Sequence, residues 1–257
     1  MELLPNELEN IIKDYIIFKP KTKEELKTVV NLWCKDKEKA LKKYGHISNW
    51  DTSLIEDMSH LFNEHWLVFN DFNDDISKWN VSNVKNMENM FALCNCFNQP
   101  LNNWDVSNVT NMKLMFTGCV KFNQYLDNWD VSNVEDMGYM LSGCYNFNQN
   151  LNEWNISNVK NMGGIFSGCK NFNQPLNNWN VSNVKKMFDV FCNCEKFNQP
   201  LNNWNVSNVN RMDEMFNNCK NFNQSLNNWD VSNVIDMNSM FNKCENFNQP
   251  LNQWNVS

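Results

Sequence analysis

Tryptophan recurs at Trp79, Trp104, Trp129, Trp154, Trp179, Trp204, Trp229 and Trp254, an unbroken period of 25 residues, and an earlier, looser copy is centred on Trp50. A fixed period of this size marks a repeat array, in which length counts copies rather than domains. The unit is seen in Leu101–Gln124, LNNWDVSNVTNMKLMFTGCVKFNQ. Counted from the tryptophan, apolar residues return at +2, +5, +8, +11, +12, +15, +18 and +22. Placement this regular predicts a shared core along the array, so the mean hydropathy of −0.60 reflects abundant asparagine and not a missing interior.

Two spacings are mixed within each copy. Leu101-x-x-Trp104-x-Val106 reads as a strand whose tryptophan and valine point to one side, because strand side chains alternate. Val109, Met112, Met115/Phe116 and Cys119 step by three and four, which reads as a short helix with one buried stripe, capped by Ser107. The expected fold is an α/β repeat solenoid with one parallel β-sheet face and short helices on the opposite face.

Residues 1–46 read as a helical N-terminal cap, and 47–257 as the solenoid, about eight 25-residue repeats plus a final strand. The cap's first helix, 1–18, has Pro5 in its first turn and Leu8, Ile11, Ile12, Tyr15 and Ile16 at helical spacing. A second opens on the capping box Thr22-Lys23-Glu24-Glu25 and carries the stripe Leu26, Val29, Val30 and Trp33. A third opens at Asp36 and stops at Gly45. The first copy holds register through Phe62 and then takes four extra residues within Asn63–Asp75, among them Trp66, Leu67, Val68 and Phe69. This apolar insertion is expected to fold back on the cap, with an exposed docking patch as the alternative. The sequence stops one strand into a ninth unit, which implies either a fragment or an exposed C-terminal strand able to self-associate.

Little of the composition points to catalysis. Seven of the ten cysteines share one column, from Cys94 to Cys244, and are expected as buried thiols rather than disulfides. His46, His60 and His65 lack companions at a metal-ligand spacing, and the C-x-C pairs Cys94/Cys96 and Cys192/Cys194 lie four copies apart, about 19 Å at a rung spacing of about 4.8 Å. There is no Gly-rich phosphate loop and no nucleophile elbow. No enzyme, cofactor or metal is expected. Residues 50–257 carry 12 basic against 21 acidic side chains, a poor match for a phosphate backbone, so no nucleic-acid partner is expected. The N-terminus has no signal-peptide pattern and no stretch reaches membrane-spanning length, which predicts a cytoplasmic protein, with a surface location only if an export signal is missing from this chain.

Two surfaces are candidates for binding a protein. On the strand side, Asn103, Asp105, Asn128, Asp130, Asn155, Asn180, Asn205 and Asp230 would stack as amide and carboxylate rows, which could either satisfy one another or form an acidic groove. On the helix side and in the insertion, Trp66, Phe69, Lys113, Tyr139, Lys186, Phe188 and Arg211 stand where the copies differ. Specificity has to come from such differences.

The repeat LNNWDVSNVxxMxxMFxxCxxFNQP closely resembles BspA-like leucine-rich repeats, also called mycoplasma-lipoprotein repeats, over residues 47–257. That resemblance implies a right-handed leucine-rich-repeat solenoid used for binding, a non-catalytic protein–protein interaction scaffold, with no catalytic residues to carry over. Surface members of the family act as adhesins, the role the resemblance offers as an alternative. At the start, Leu4-Pro5-Asn6-Glu7-Leu8-Glu9-Asn10-Ile11 is similar to the opening of an F-box, which implies a second alternative, a substrate adaptor for ubiquitin ligation.

Overall fold

Two helices open the ordered array. The computed structural model describes residues 17–62 and 71–256. Helix α1 (Lys23–Lys35) begins where the Thr22 hydroxyl accepts the Glu25 N–H at 3.2 Å, and it buries Leu26, Val29, Val30 and Trp33, the stripe the sequence pattern requires. Helix α2 (Lys37–Tyr44) is capped by Asp36, whose carboxylate accepts the Lys39 N–H at 3.0 Å, and it ends at Gly45 in the left-handed region at φ 71°. Gly45 is the residue that can hold that conformation without strain. The pair rests on the first copy: Trp33 meets Trp50 edge-on at 5.8 Å and donates its indole N–H to Asp74 at 2.8 Å, while Lys23 pairs with Asp57 at 3.0 Å. The helix expected over 1–18 lies outside the described residues except for its end, where Phe18 packs edge-on against Tyr44 at 4.8 Å.

Past Trp50 the chain departs from expectation. Among the described residues, α1 and α2 are the only α-helices, and strand pairing is reduced to single-residue parallel bridges that run Asp57, Asn86, Asn111, Asp136, Asn161, Lys186, Arg211, Asp236. The expected α/β solenoid, a leucine-rich-repeat array with a parallel β-sheet face and a row of helices, is therefore wrong. The physical reason is visible in the backbone hydrogen bonds. Over Met112–Cys119, the N–H groups of Met112, Leu114, Phe116 and Gly118 reach the next copy, at the carbonyls of Asp136, Gly138, Met140 and Ser142. Those of Met115, Thr117 and Cys119 instead close tight turns on the residue three positions back. The segment is a run of successive turns, with Leu114 and Gly118 left-handed at φ 59° and 74°. Residues three apart share a side in such a run as they do in a helix, so the apolar spacing suits both.

The expected strand fails for a related reason. Leu101 and Trp104 are both buried, although residues three apart in a strand face opposite ways. The Trp104 N–H closes a turn on Leu101 at 3.0 Å, and Val109 does the same on Val106 at 2.9 Å. Between them Asp105 accepts the Ser107 N–H and hydroxyl at 3.1 and 2.6 Å, a local side-chain bond that competes with sheet pairing.

What repeats is the interior and the polar stitching between copies. Tryptophan, valine, methionine, phenylalanine, cysteine and leucine columns are almost fully buried from Ile76 to Val231. Their rings stack at the copy spacing, as in Phe97 on Phe122 and Phe122 on Phe147, both at 6.1 Å. From Trp129 onward each repeat indole donates to a leucine carbonyl one copy back, Trp129 to Leu101 at 2.9 Å, isoleucine taking that place for Trp79 and Trp104, and each column thiol also donates to a carbonyl one copy back, Cys144 to Phe116 at 3.1 Å. The described cysteines are all free, and burial pushes the thiols of Cys119, Cys144, Cys194 and Cys219 well above their ordinary range. They are inert packing groups. Asparagine ties the edges together: Asn133 Nδ2 donates to Ser107 O at 2.7 Å, and Asn98 Oδ1 accepts the Asn123 N–H at 2.9 Å. No described helix is long and apolar enough to cross a membrane.

Candidate functional site

Six of the eight residues expected as polar rows have local work. Asp105, Asp130, Asn155, Asn180, Asn205 and Asp230 each accept the N–H of the serine two positions on, between 3.0 and 3.2 Å, so they close turns. The serine hydroxyl and N–H hold the carboxyl groups of Asp130 and Asp230 below their usual range. Four of the eight line one depression. Asn103, Asp105, Asn128 and Asp130, with Asn102, Trp104 and Val106, line a depression of about 340 Å³ between two successive copies that both carry aspartate.

The other candidate surface is more heavily built. Counted from the tryptophan, position +10 is left-handed in every described copy, at His60, Asn89, Leu114, Tyr139, Gly164, Asp189, Glu214 and Ser239. Tyr139 uses this to send its ring along the stack over Gly164, and its hydroxyl donates to Asp189 Oδ2 at 3.0 Å, two copies away. A Cβ on Gly164 would overlap the Tyr139 ring, and one on Gly163 would overlap the Phe188 ring, so the glycine pair is what lets both rings lie flat. The two rings sit 5.8 Å apart. Arg211 lies over the outer face of Phe188 at 4.7 Å, held by a two-pronged bond to Asp213 at 3.0 and 2.8 Å. Tyr139, Phe188 and Arg211, each chosen because its copy differed from the rest, thus form one patch.

The remaining candidates are elsewhere. Lys186 is exposed at the bridge position between Asn161 and Arg211, and Lys113 pairs with Glu88 at 3.4 Å outside the patch. Trp66 and Phe69 lie outside the described residues.

Gly163, Gly164, Asp189, Asp213 and Glu214, in and beside the patch, escaped the sequence reading, and Cys192, next to them, entered it only as half of a C-x-C pair. The signal of the first five is present only when the copies are aligned column by column, since they stand at positions +9 and +10, where residue type changes most sharply. Electrostatically the patch is tense. Burial pushes the Asp189 carboxyl up, and neighbouring Glu214 and Asp213 add to this against the Tyr139 hydrogen bond. Burial and Asp189 push the Tyr139 phenol to about 12, and burial with Asp189 and Glu214 pushes the Cys192 thiol to about 11.

With this geometry in hand, comparison with known proteins gives one match. The family described as "Mycoplasma protein of unknown function, DUF285" matches residues 34–151, 121–217 and 199–257. The chain belongs to this family. Three overlapping matches along one DUF285 chain are the mark of a repeat protein. No curated protein and no solved structure matches it. Its stack of turns is also not the leucine-rich-repeat architecture that the BspA-like resemblance implies.

Proposed function

We propose that this DUF285 chain is a non-catalytic scaffold that binds another protein through the Tyr139–Phe188–Arg211 patch. The observation that carries the reading is the contrast in use: recurring polar residues are consumed in turns and in bonds between copies, whereas here two rings and a guanidinium are laid across a glycine pair at half-buried depth. Tyrosine, phenylalanine and arginine in such a setting are the residue types that dominate protein interfaces. Photo-crosslinking tests the reading. A photoreactive residue at position 188 should give covalent adducts with a discrete partner, and one at position 39 on the exposed side of α2 should give none. Equal adducts from both positions, or adducts from 39 alone, contradict it.

The depression between Asp105 and Asp130 supports a second contact for the same partner. Asp105 and Asp130 each spend Oδ1 on a serine. A lysine or arginine of the partner suits the paired carboxylates. Asp105→Asn with Asp130→Asn should then raise Kd by about tenfold, the scale of a charge-assisted hydrogen bond, without abolishing binding.

A further inference from the structure

We infer that Asp189, Cys192 and Glu214 form a binding site for a single divalent cation of the zinc class, beside the aromatic patch and independent of what docks there. The three residues come from two successive copies, and one ligand atom from each lies within 4.8 Å of the other two. A tetrahedral ion with bonds of about 2.0–2.3 Å holds its ligands about 3.5 Å apart, so closing the site draws the ligand atoms together by about an ångström. Sequence spacing does not reveal this set, because Asp189 and Cys192 lie three residues apart whereas Glu214 follows a full copy after Asp189.

Independent features of the structure point to a cation. Asp189 and Glu214 occupy the same left-handed position in adjacent copies, φ 56° and 55°, so stacking sets two carboxylates side by side within reach of the Cys192 thiol. Asp213 is matched by Arg211, which it holds on both prongs, so Asp189 and Glu214 are two neighbouring carboxylates offset only by the guanidinium that Asp213 already engages. Each ligand residue also has an outer partner of the kind that orients metal ligands: Tyr139 Oη donates to Asp189 Oδ2 at 3.0 Å, Asn217 Nδ2 to Glu214 Oε2 at 2.9 Å, and Asn193 Nδ2 to Cys192 Sγ at 3.2 Å. The sulfur accepts from Asn193 and its S–H is shared with Asp189, whereas the column thiols donate to backbone carbonyls. Cys192 is 7% exposed, which shields a metal–sulfur bond while Glu214, on the surface, leaves a path for the ion. One thiolate and two carboxylates with water in the fourth place suit zinc, and binding expels the Cys192 proton to solvent.

Cobalt(II) added to the reduced, chelator-treated full chain tests the site, because a Co–S bond gives a near-ultraviolet charge-transfer band. The expected result is one equivalent of Co²⁺ with that band, displaced by Zn²⁺. Cys192→Ser should abolish the band and Glu214→Gln should weaken binding at least tenfold, while Cys96→Ser leaves both unchanged. Serine already stands at the matching position of two other copies, Ser142 and Ser167, so Cys192→Ser keeps the fold, which circular dichroism verifies. A wild-type chain with no thiolate band, or a band that survives Cys192→Ser, overturns the proposal.

Discussion

The junctions between Asn86 and Asn161 and those between Asn161 and Arg211 share one backbone path and differ in one column. In the first set, Asn86, Asn111, Asp136 and Asn161 each accept the N–H two residues on, at 2.8–3.1 Å, so the bridge position closes its own turn. In the second, Lys186 and Arg211 offer no acceptor, and the Arg211 side chain turns outward to Phe188 and Asp213 instead. A residue that recurs in this protein is spent on structure, and a side chain becomes available for other work where the recurrence stops.

The largest expected effect lies in the recurring part. Phe122 is fully buried and stacked between Phe97 and Phe147, so Phe122→Ala should destabilise the chain by about 3–5 kcal/mol in urea unfolding. Phe247 occupies the same column in the last described copy, where it is only partly buried, and Phe247→Ala should lose less than half as much. Equal losses would show that the copies do not share a core in the way their burial implies.

A smaller effect separates the two sets of junctions. Gly164→Ala places a Cβ into the Tyr139 ring at a backbone φ of 65°, and should cost about 1–3 kcal/mol while freeing the tyrosine hydroxyl from Asp189. Gly138 is also under close contact but is not left-handed, and its neighbours are side-chain ends of Asn161 and Asp136 that can turn away, so Gly138→Ala should be milder. Unfolding of the two variants in parallel checks the order.

These outcomes bear on what the sequence could convey. The period, the buried columns and the helix starts at Thr22 and Asp36 were legible, because burial and capping follow from residue type and spacing. The backbone of a copy was not. A step of three between Val109, Met112 and Met115 fits a helix and a run of turns equally, and only the left-handed Leu114 and Gly118, together with N–H groups directed to the next copy, separate them. The joint burial of Leu101 and Trp104 was the one hint against a strand. At the patch, Tyr139, Phe188 and Arg211 could be singled out one by one, whereas their meeting depended on a side chain spanning two copies to reach Asp189.

A pH effect sharpens the comparison further. The Tyr139 phenol lies near 12 in the folded chain against an ordinary 10.0. Its protonated form is therefore favoured by folding, and the contribution is complete below pH 10.0 and is lost as pH rises toward about 12. Tyr139→Phe should flatten the alkaline limb of the stability curve in that window, by less than about 1 kcal/mol because the phenol is partly solvated. The smallest effect is a gain: Lys186→Asn restores an acceptor for the Phe188 N–H and should stabilise the chain by about 0.5 kcal/mol.

The central claim is that the departures around Tyr139 are reserved for binding and are not fasteners of the fold. It is tested most directly by the urea midpoint of a chain carrying Tyr139→Asn, Lys186→Asn, Phe188→Asn and Arg211→Asn together. Asparagine closes the bridge turn in other copies and tolerates the left-handed position, as Asn89 does at φ 55°. The account predicts a midpoint equal to or above that of the wild type. A fall equivalent to several kcal/mol would contradict it, because the patch would then be holding the stack together.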